Sequence, residues 1–243
     1  MKRLKSRILE NRKLAEGIYK MTLETAENDF TAPGQFAMIE VPEKFLRRPI
    51  SVSSYDEKKY VLIYKVVGDG TEKLSRMEPG QEVESLTGLG NGYDVEVIPN
   101  GATLIGGGIG IPPMLGLAKA LKEVGKSCKV ILGFNTADEM FLVEDFGEFT
   151  EDVTIVTADG SYGQKGFVTD AFDTLDYACA CGPLKMLEAL DSKVREGQFS
   201  LEARMGCGFG ACMGCSIHTK EGSRRVCKEG PVFNKEVLEW ETL

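Results

Sequence analysis

Three stretches in the first hundred residues alternate apolar and polar positions with the period of a half-buried strand: Gly17–Glu24, Gln35–Val41 and Lys59–Val67. They are rich in β-branched and aromatic side chains, which suit a pleated surface. Ala32-Pro33-Gly34, Tyr55-Asp56-Glu57 and Glu78-Pro79-Gly80 supply turns between them. One short helix fits Thr71–Met77, ahead of the last Pro-Gly. Short strands with a single short helix predict a small antiparallel β-barrel over residues 1–98.

From residue 99 the pattern changes. Ala102–Gly106 is a short apolar run, and Ile111 to about Val124 reads as a helix. Strands follow at Lys129–Phe134 and Val153–Thr157. Tyr177–Cys181 is a further buried run, and Leu184–Arg195 a further helix. Strands alternating with helices predict a parallel sheet covered on both faces, an α/β nucleotide domain over 99–196. The remainder, 197–243, is a small cysteine-rich segment. The expected fold is multi-domain: antiparallel β-barrel, parallel-sheet α/β domain, C-terminal segment.

The segment carries the strongest chemical signal. Four of the seven cysteines are Cys207, Cys212, Cys215 and Cys227, spaced C-x4-C-x2-C and then eleven residues before the last. The first three match the plant-type [2Fe-2S] spacing. The interleaved glycines let backbone N–H groups approach sulfur with no Cβ in the way. Structural zinc remains open, although zinc sites favour two C-x2-C knuckles or added histidines. A Rieske centre needs two histidines and the chain has one, His218, which reads as a solvated strand or loop residue. Disulfides rank last. Met1-Lys2-Arg3-Leu4-Lys5 opens no apolar signal sequence, so the expected compartment is the cytoplasm, where thiols stay reduced. Cys128 and Cys179 read as buried small apolar residues.

Charge excludes one class of partner. With 29 basic and 37 acidic residues the net charge is −8, which argues against nucleic acid. No apolar run approaches a membrane span.

Four further motifs point to planar and phosphorylated ligands. Arg48-Pro49-Ile50-Ser51 offers a guanidinium for phosphate and a hydroxyl for a ring heteroatom. Gly70-Thr71 opens a helix, where free N–H groups favour an anion. Gly106-Gly107-Gly108-Ile109-Gly110 lies at a strand end before a helix that starts with Pro112-Pro113. Ile111 stands where the G-x-G-x-x-G fingerprint has its last Gly or Ala, so the standard Rossmann motif is absent. Cys181-Gly182-Pro183 ends another strand, and Thr157–Ser161 a third. A nicotinamide exchanges two electrons and a [2Fe-2S] cluster one. A chain with both sites therefore calls for a flavin between them.

The order Arg48-Pro49-Ile50-Ser51, Gly70-Thr71, Gly106–Gly110, Cys181-Gly182-Pro183 resembles the ferredoxin–NADP reductase superfamily. Leu201–Gly208 and Arg225-Val226-Cys227-Lys228-Glu229-Gly230-Pro231-Val232-Phe233 look like the electron-transfer subunits of the dihydroorotate dehydrogenase B family. The resemblance covers essentially the whole chain. It implies that Arg48, Pro49, Ile50 and Ser51 contact FAD, that Ile63, Tyr64 and Lys65 line the same cofactor, and that Gly70 and Thr71 hold its pyrophosphate. Gly106, Gly107, Gly108 and Gly110, with Cys181, Gly182 and Pro183, are the nicotinamide-nucleotide candidates. Cys207, Cys212, Cys215 and Cys227 would ligate the [2Fe-2S] cluster.

The resemblance also implies a catalytic FMN-containing subunit as partner, in a heterotetramer of two of each, serving pyrimidine biosynthesis. Electrons from dihydroorotate would reach NAD+ through the cluster and FAD. NAD is expected over NADP because Asn135–Glu139 holds no Arg or Lys for a 2′-phosphate. No catalytic residue is assigned, since no residues remain for dihydroorotate chemistry. Two alternatives stay open: the small subunit of a ferredoxin:NAD(P) oxidoreductase-type flavin complex, and a zinc-stabilised, non-redox binding module. Phe209 and Met213 are expected to face the partner or FAD. The barrel is expected to hold flavin independently of the cysteine segment.

Overall fold

Six strands, β1 (Lys2–Ala15), β2 (Ile18–Glu24), β3 (Phe36–Ile39), β4 (Arg48–Tyr55), β5 (Lys59–Lys65) and β6 (Glu82–Leu89), close an antiparallel barrel in the order β1-β2-β5-β4-β3-β6. A short helix, α1 (Asp69–Ser75), lies between β5 and β6 in the chain. The computed structural model describes residues 1–243. Closure depends on β1. Its first half, Lys2–Arg7, pairs with β6, and its second half, Arg7–Ala15, pairs with β2. Register shifts at Ile8/Glu10 and Lys13/Ala15 bend the strand from one neighbour to the other. Inside, Met21, Leu23, Ile39, Ile50, Leu62 and Tyr64 form the barrel core. The buried Tyr60 hydroxyl is shared between Ser6 and Ser85, at 3.1 and 2.9 Å.

The second half is built on β7 (Ala102–Gly107), α2 (Ile111–Glu123), β8 (Cys128–Phe134), α3 (Val143–Phe146), β9 (Val153–Thr157), β10 (Gln164–Lys165), β11 (Leu175–Cys181), α4 (Leu184–Asp191) and β12 (Val194–Ser200). The last elements are a hairpin, β13 (Ser216–Thr219) with β14 (Gly222–Arg225), and β15 (Val232–Asn234). One sheet runs β10-β9-β8-β7-β11-β12-β15. Its pairs are parallel except β12–β15. No helix is long and apolar enough to cross a membrane.

Two expectations change here. The helix expected to reach Arg195 stops at Asp191, and Val194–Ser200 is a strand that crosses the expected boundary at 196/197. Val194–Ser200 pairs in parallel with β11, and Gly197 permits it: its bare Cα lies against the Ala178 carbonyl, an approach any Cβ would block. Strand β3 does not alternate. All four of Phe36, Ala37, Met38 and Ile39 are buried, because the strand is covered on both faces.

That second cover joins the parts. Ala37 and Ile39 face the barrel interior. Phe36 and Met38 point outward into a core with Ile105, Ala180 and Phe199 of the sheet and Cys215, Val226 and Cys227 of the C-terminal segment. On the sheet's other face, α2 packs with Ile18 and Ile63 of the barrel and with Tyr93. Gly116, inside α2, has no Cβ because the Ser53 carbonyl of β4 lies there. The C-terminal segment is no appendage. Asn91 N–H donates to the Gly230 carbonyl at 2.6 Å, and Leu201 N–H to that of Pro231 at 2.9 Å.

Tyr93 is the wedge between barrel and sheet. Its ring is buried against Gly34, where a Cβ would sit 2.8 Å from Cδ2, and its hydroxyl donates to the Ala180 carbonyl at 2.9 Å. Tyr93→Phe keeps the ring and removes the bond. The expected loss is about 1–2 kcal/mol of stability, the usual cost of a lost buried hydrogen bond. Denaturant unfolding with unchanged flavin content checks it.

Candidate redox site

The outer wall of β3, β4 and β5 positions the site. Antiparallel register sets Met38 opposite Pro49, Phe36 opposite Ser51, and Val52 opposite Leu62. Period two then divides the expected flavin residues between two faces. Pro49, Ser51, Ile63 and Lys65 stand outward. Ile50 and Tyr64 belong to the barrel core, and the Tyr64 hydroxyl is held by Asn11 at 3.1 Å. Ile50 and Tyr64 therefore offer only backbone to an outer ligand. Ser53, next in the outward row, is already covered by α2, its hydroxyl 3.3 Å from the Pro112 carbonyl. Pro49 is exposed and Ser51 half-buried, so they form an open shelf beside that contact.

Arg48 reaches from β4 to the start of α1. Its guanidinium covers the Gly70 Cα so closely that no side chain fits there. The two expected phosphate motifs thus meet in space. Thr71 differs from expectation. Its hydroxyl accepts from Val67 N–H at 2.9 Å and donates to the Gly68 carbonyl at 3.0 Å. It closes the turn, which leaves its backbone N–H, not its hydroxyl, for an anion.

The nucleotide loops also converge. Adjacent β7 and β11 bring Gly106 opposite Cys181. Gly110 touches the backbone of Cys181 and Gly182, and Gly107 and Gly182 both rest on Met186. Gly106 packs on Ile111. Of the four expected ligand glycines, Gly106 and Gly110 press on backbone, and Gly107 on the movable end of Met186. Gly108 alone has open space at its Cβ position and a positive φ of 51°. Burial pushes the Cys181 thiol up to about 12, so it stays neutral. Pro183 is exposed at the start of α4. Met186 escaped sequence reading because a methionine at helical spacing resembles any core residue.

All four segment cysteines are free thiols and stand as two pairs, with no three metal-binding side chains meeting at one point. Cys207 Sγ accepts from Ala211 N–H at 3.2 Å and Cys212 N–H at 3.4 Å, and Cys212 Sγ accepts from Cys207 N–H at 3.4 Å. Cys215 Sγ accepts from Cys227 N–H at 3.4 Å. The first pair lies toward solvent and the second is buried. Burial alone would raise the Cys207 thiol; the backbone N–H groups of Cys212, Phe209 and Ala211 and the Cys212 thiol outweigh it and hold it near 6. Cys227 goes the other way, pushed up to about 12 by burial and by Cys215. Gly208, with φ 79°, presses on β3: a Cβ there would sit 2.5 Å from Met38 Cγ. The cysteine loop therefore touches the strand whose neighbour carries Pro49 and Ser51. Phe209 and Met213 are 42% and 54% exposed on the same loop. His218 is exposed on β13, as expected.

The thiol environments give a pH prediction for iron-free protein. Thiolate, the reactive form, exists above the thiol pKa. Carboxymethylation of Cys207 should rise through about pH 6 and level off above it, while Cys227, held near 12, stays unmodified. Peptide mass spectrometry across a pH series checks this.

Comparison with known proteins agrees with this arrangement. The iron-sulfur cluster binding domain of dihydroorotate dehydrogenase B matches residues 202–239. The electron transfer subunit of dihydroorotate dehydrogenase B (NAD(+)) from Bacillus pumilus is 40% identical over 97% of this chain and 98% of its own. That from Clostridium perfringens is 39% identical over 96% and 97%. Among solved structures, an NADH-dependent reduced ferredoxin-NADP oxidoreductase superposes with a TM-score of 0.87 and 31% identity, over 97% of this chain and 90% of that one. Phthalate dioxygenase reductase shares the fold, with a TM-score of 0.68 and 17% identity over 93% and 94%. The chain belongs to the family of dihydroorotate dehydrogenase B electron transfer subunits.

Proposed function

We propose that this chain relays electrons between a partner FMN subunit, which oxidises dihydroorotate to orotate in pyrimidine biosynthesis, and NAD+. Cys207, Cys212, Cys215 and Cys227 hold a [2Fe-2S] cluster, and the β4 shelf holds FAD. FAD, when bound, supplies the exchange between single electrons and a two-electron hydride. The observation that carries the reading is the contact of Gly208 on Met38, which sets the cysteine loop beside Pro49 and Ser51.

The donor set fits both groups. The four free thiols, spaced C-x4-C-x2-C with eleven residues before the fourth and paired as Cys207/Cys212 and Cys215/Cys227, suit a two-iron cluster. Arg48 over Gly70 suits a pyrophosphate. Pro49 and Ser51 orient a planar ring, while α2 packed on Ser53 shields one edge from water. Gly108 admits the nicotinamide nucleotide's phosphates to bare backbone. Asn135 is bound to the Glu139 carboxylate at 2.7 Å, and that acidic end favours a free ribose hydroxyl over a 2′-phosphate. Phe209 and Met213 present apolar surface for the partner beside the exposed cysteine pair. The assembly in this proposal is a heterotetramer of two of each subunit.

A second reading has a specific observation behind it. The likeness to the reduced ferredoxin-NADP oxidoreductase, at 31% identity, fits a small subunit of that type of flavin complex. The large subunit that co-purifies decides between them: an FMN barrel, or a larger iron–sulfur flavoprotein.

Two measurements test the proposal. The isolated, flavin-loaded chain should reduce an artificial acceptor with NADH yet form no orotate from dihydroorotate; robust orotate formation by the chain alone defeats the partner assignment. Cys212→Ser should remove or perturb the cluster and keep FAD, since Cys212 is exposed. Cys227→Ser sits in the core shared with Met38, so it should lose the cluster and also about 1–3 kcal/mol of stability, with some FAD, through a poorly paired buried hydroxyl. Iron, sulfide and flavin per chain, with thermal unfolding, separate the two.

A further inference from the structure

Arg225 closes β14, two residues before Cys227, and is 28% exposed. Its guanidinium makes a fork with the Glu229 carboxylate: Nε donates to Oε2 at 3.0 Å, and Nη2 donates to Oε1. The Arg225 N–H donates to the same Oε2 at 2.7 Å. Held this way, Nη1 donates to the Gly210 carbonyl at 2.7 Å. Gly210 lies in the other half of the site, between Cys207 and Cys212, with φ 90°. A Cβ there would crowd Lys228 and Arg225 itself, at 3.1 and 3.2 Å, so glycine and arginine fit each other.

The Gly210 carbonyl shares one planar peptide with the Ala211 N–H. In a trans peptide the two point in opposite directions. Fixing the carbonyl toward Arg225 therefore fixes the N–H on the far side, and that N–H makes the shortest N–H···S contact of the loop, 3.2 Å to Cys207 Sγ. Hydrogen bonds to ligand sulfur favour the reduced, more negative cluster and raise its potential.

We infer that Arg225 is a positioning residue that, through the Gly210–Ala211 peptide, aims the Ala211 N–H at the Cys207 sulfur and so raises the cluster's reduction potential. Glu229 is the brace that keeps the guanidinium in place. The inference rests on the cluster assignment above.

The test uses the full chain, with its partner, as wild type, Arg225→Gln and Arg225→Lys. Iron, sulfide and FAD are counted first; a wild type without iron defeats the cluster assignment itself. Redox titration followed by EPR then gives the midpoint. Arg225→Gln should favour the oxidised cluster about tenfold at a fixed potential, a downward shift of about 59 mV for one electron. Arg225→Lys, which keeps a charge and one donor, should recover more than half of it. Pulsed EPR after exchange into D2O should show a weaker Ala211 amide deuteron coupling in Arg225→Gln, a signal that loss of charge alone leaves unchanged. Loss of the cluster in Arg225→Gln, with FAD retained and the cluster present in Arg225→Lys, also supports the role. An Arg225→Gln cluster with wild-type midpoint or deuteron coupling overturns it. So does an Arg225→Lys midpoint no nearer wild type, or loss of the cluster in both variants.

Discussion

The double burial of β3 is the constraint on which the rest depends. A barrel strand normally shows one face to solvent. Here Ala37 and Ile39 fill the barrel, while Phe36 and Met38 are buried by the sheet and by the cysteine segment. Gly208 can reach Met38 only because it has no side chain. This contact sets the cysteine loop beside the open shelf of Pro49 and Ser51. It also puts Cys215 and Cys227 into a core continuous with that of the sheet. The same packing denies independence to the barrel, which the sequence pattern treats as a separate unit.

What the sequence reveals about the fold follows from which elements are amphipathic. β2 and β5 alternate in sequence and match the expected spans within a residue or two. β1 was missed because half of Lys2–Ala15 is charged and its apolar positions do not alternate. It is a strand because two neighbours pair with it, which is tertiary information. β12 was missed because Val194 and Arg195 continue a helix-like charged stretch, and the parallel pairing with β11 that makes it a strand is tertiary information. The four-residue run Phe36–Ile39 did hold a signal of burial on both sides: it contains no polar residue.

The candidate site was legible in its parts and less so in their division of labour. Motif order brought together Arg48 with Gly70, and Gly110 with Cys181, pairs that do meet. Motif order cannot say which face of a strand a residue occupies, so Ile50 and Tyr64 stood beside Ser51 and Ile63 although they point the other way. Nor can it separate a glycine that admits a ligand from one that admits a neighbouring chain. Gly106 and Gly110 are packed on neighbouring backbone, and Gly108 is open. Met38 and Met186 lie under these loops and leave no sequence signature, because nothing but contact distinguishes them from other core methionines.

The two cysteine pairs differ in a way that matters for a relay. Cys215 and Cys227 are buried toward the barrel, and Cys227 sits where a thiolate is disfavoured. Cys207 and Cys212 lie outward, and Cys207 sits among N–H groups that favour negative charge. More of the N–H groups that favour charge thus lie on the solvent side, and the low-dielectric packing lies in the core shared with Met38. Negative charge gained by such a site is stabilised best at its outer half, beside the exposed Phe209 and Met213. Gly208, next to Cys207, still ties this outer half to the shelf through Met38.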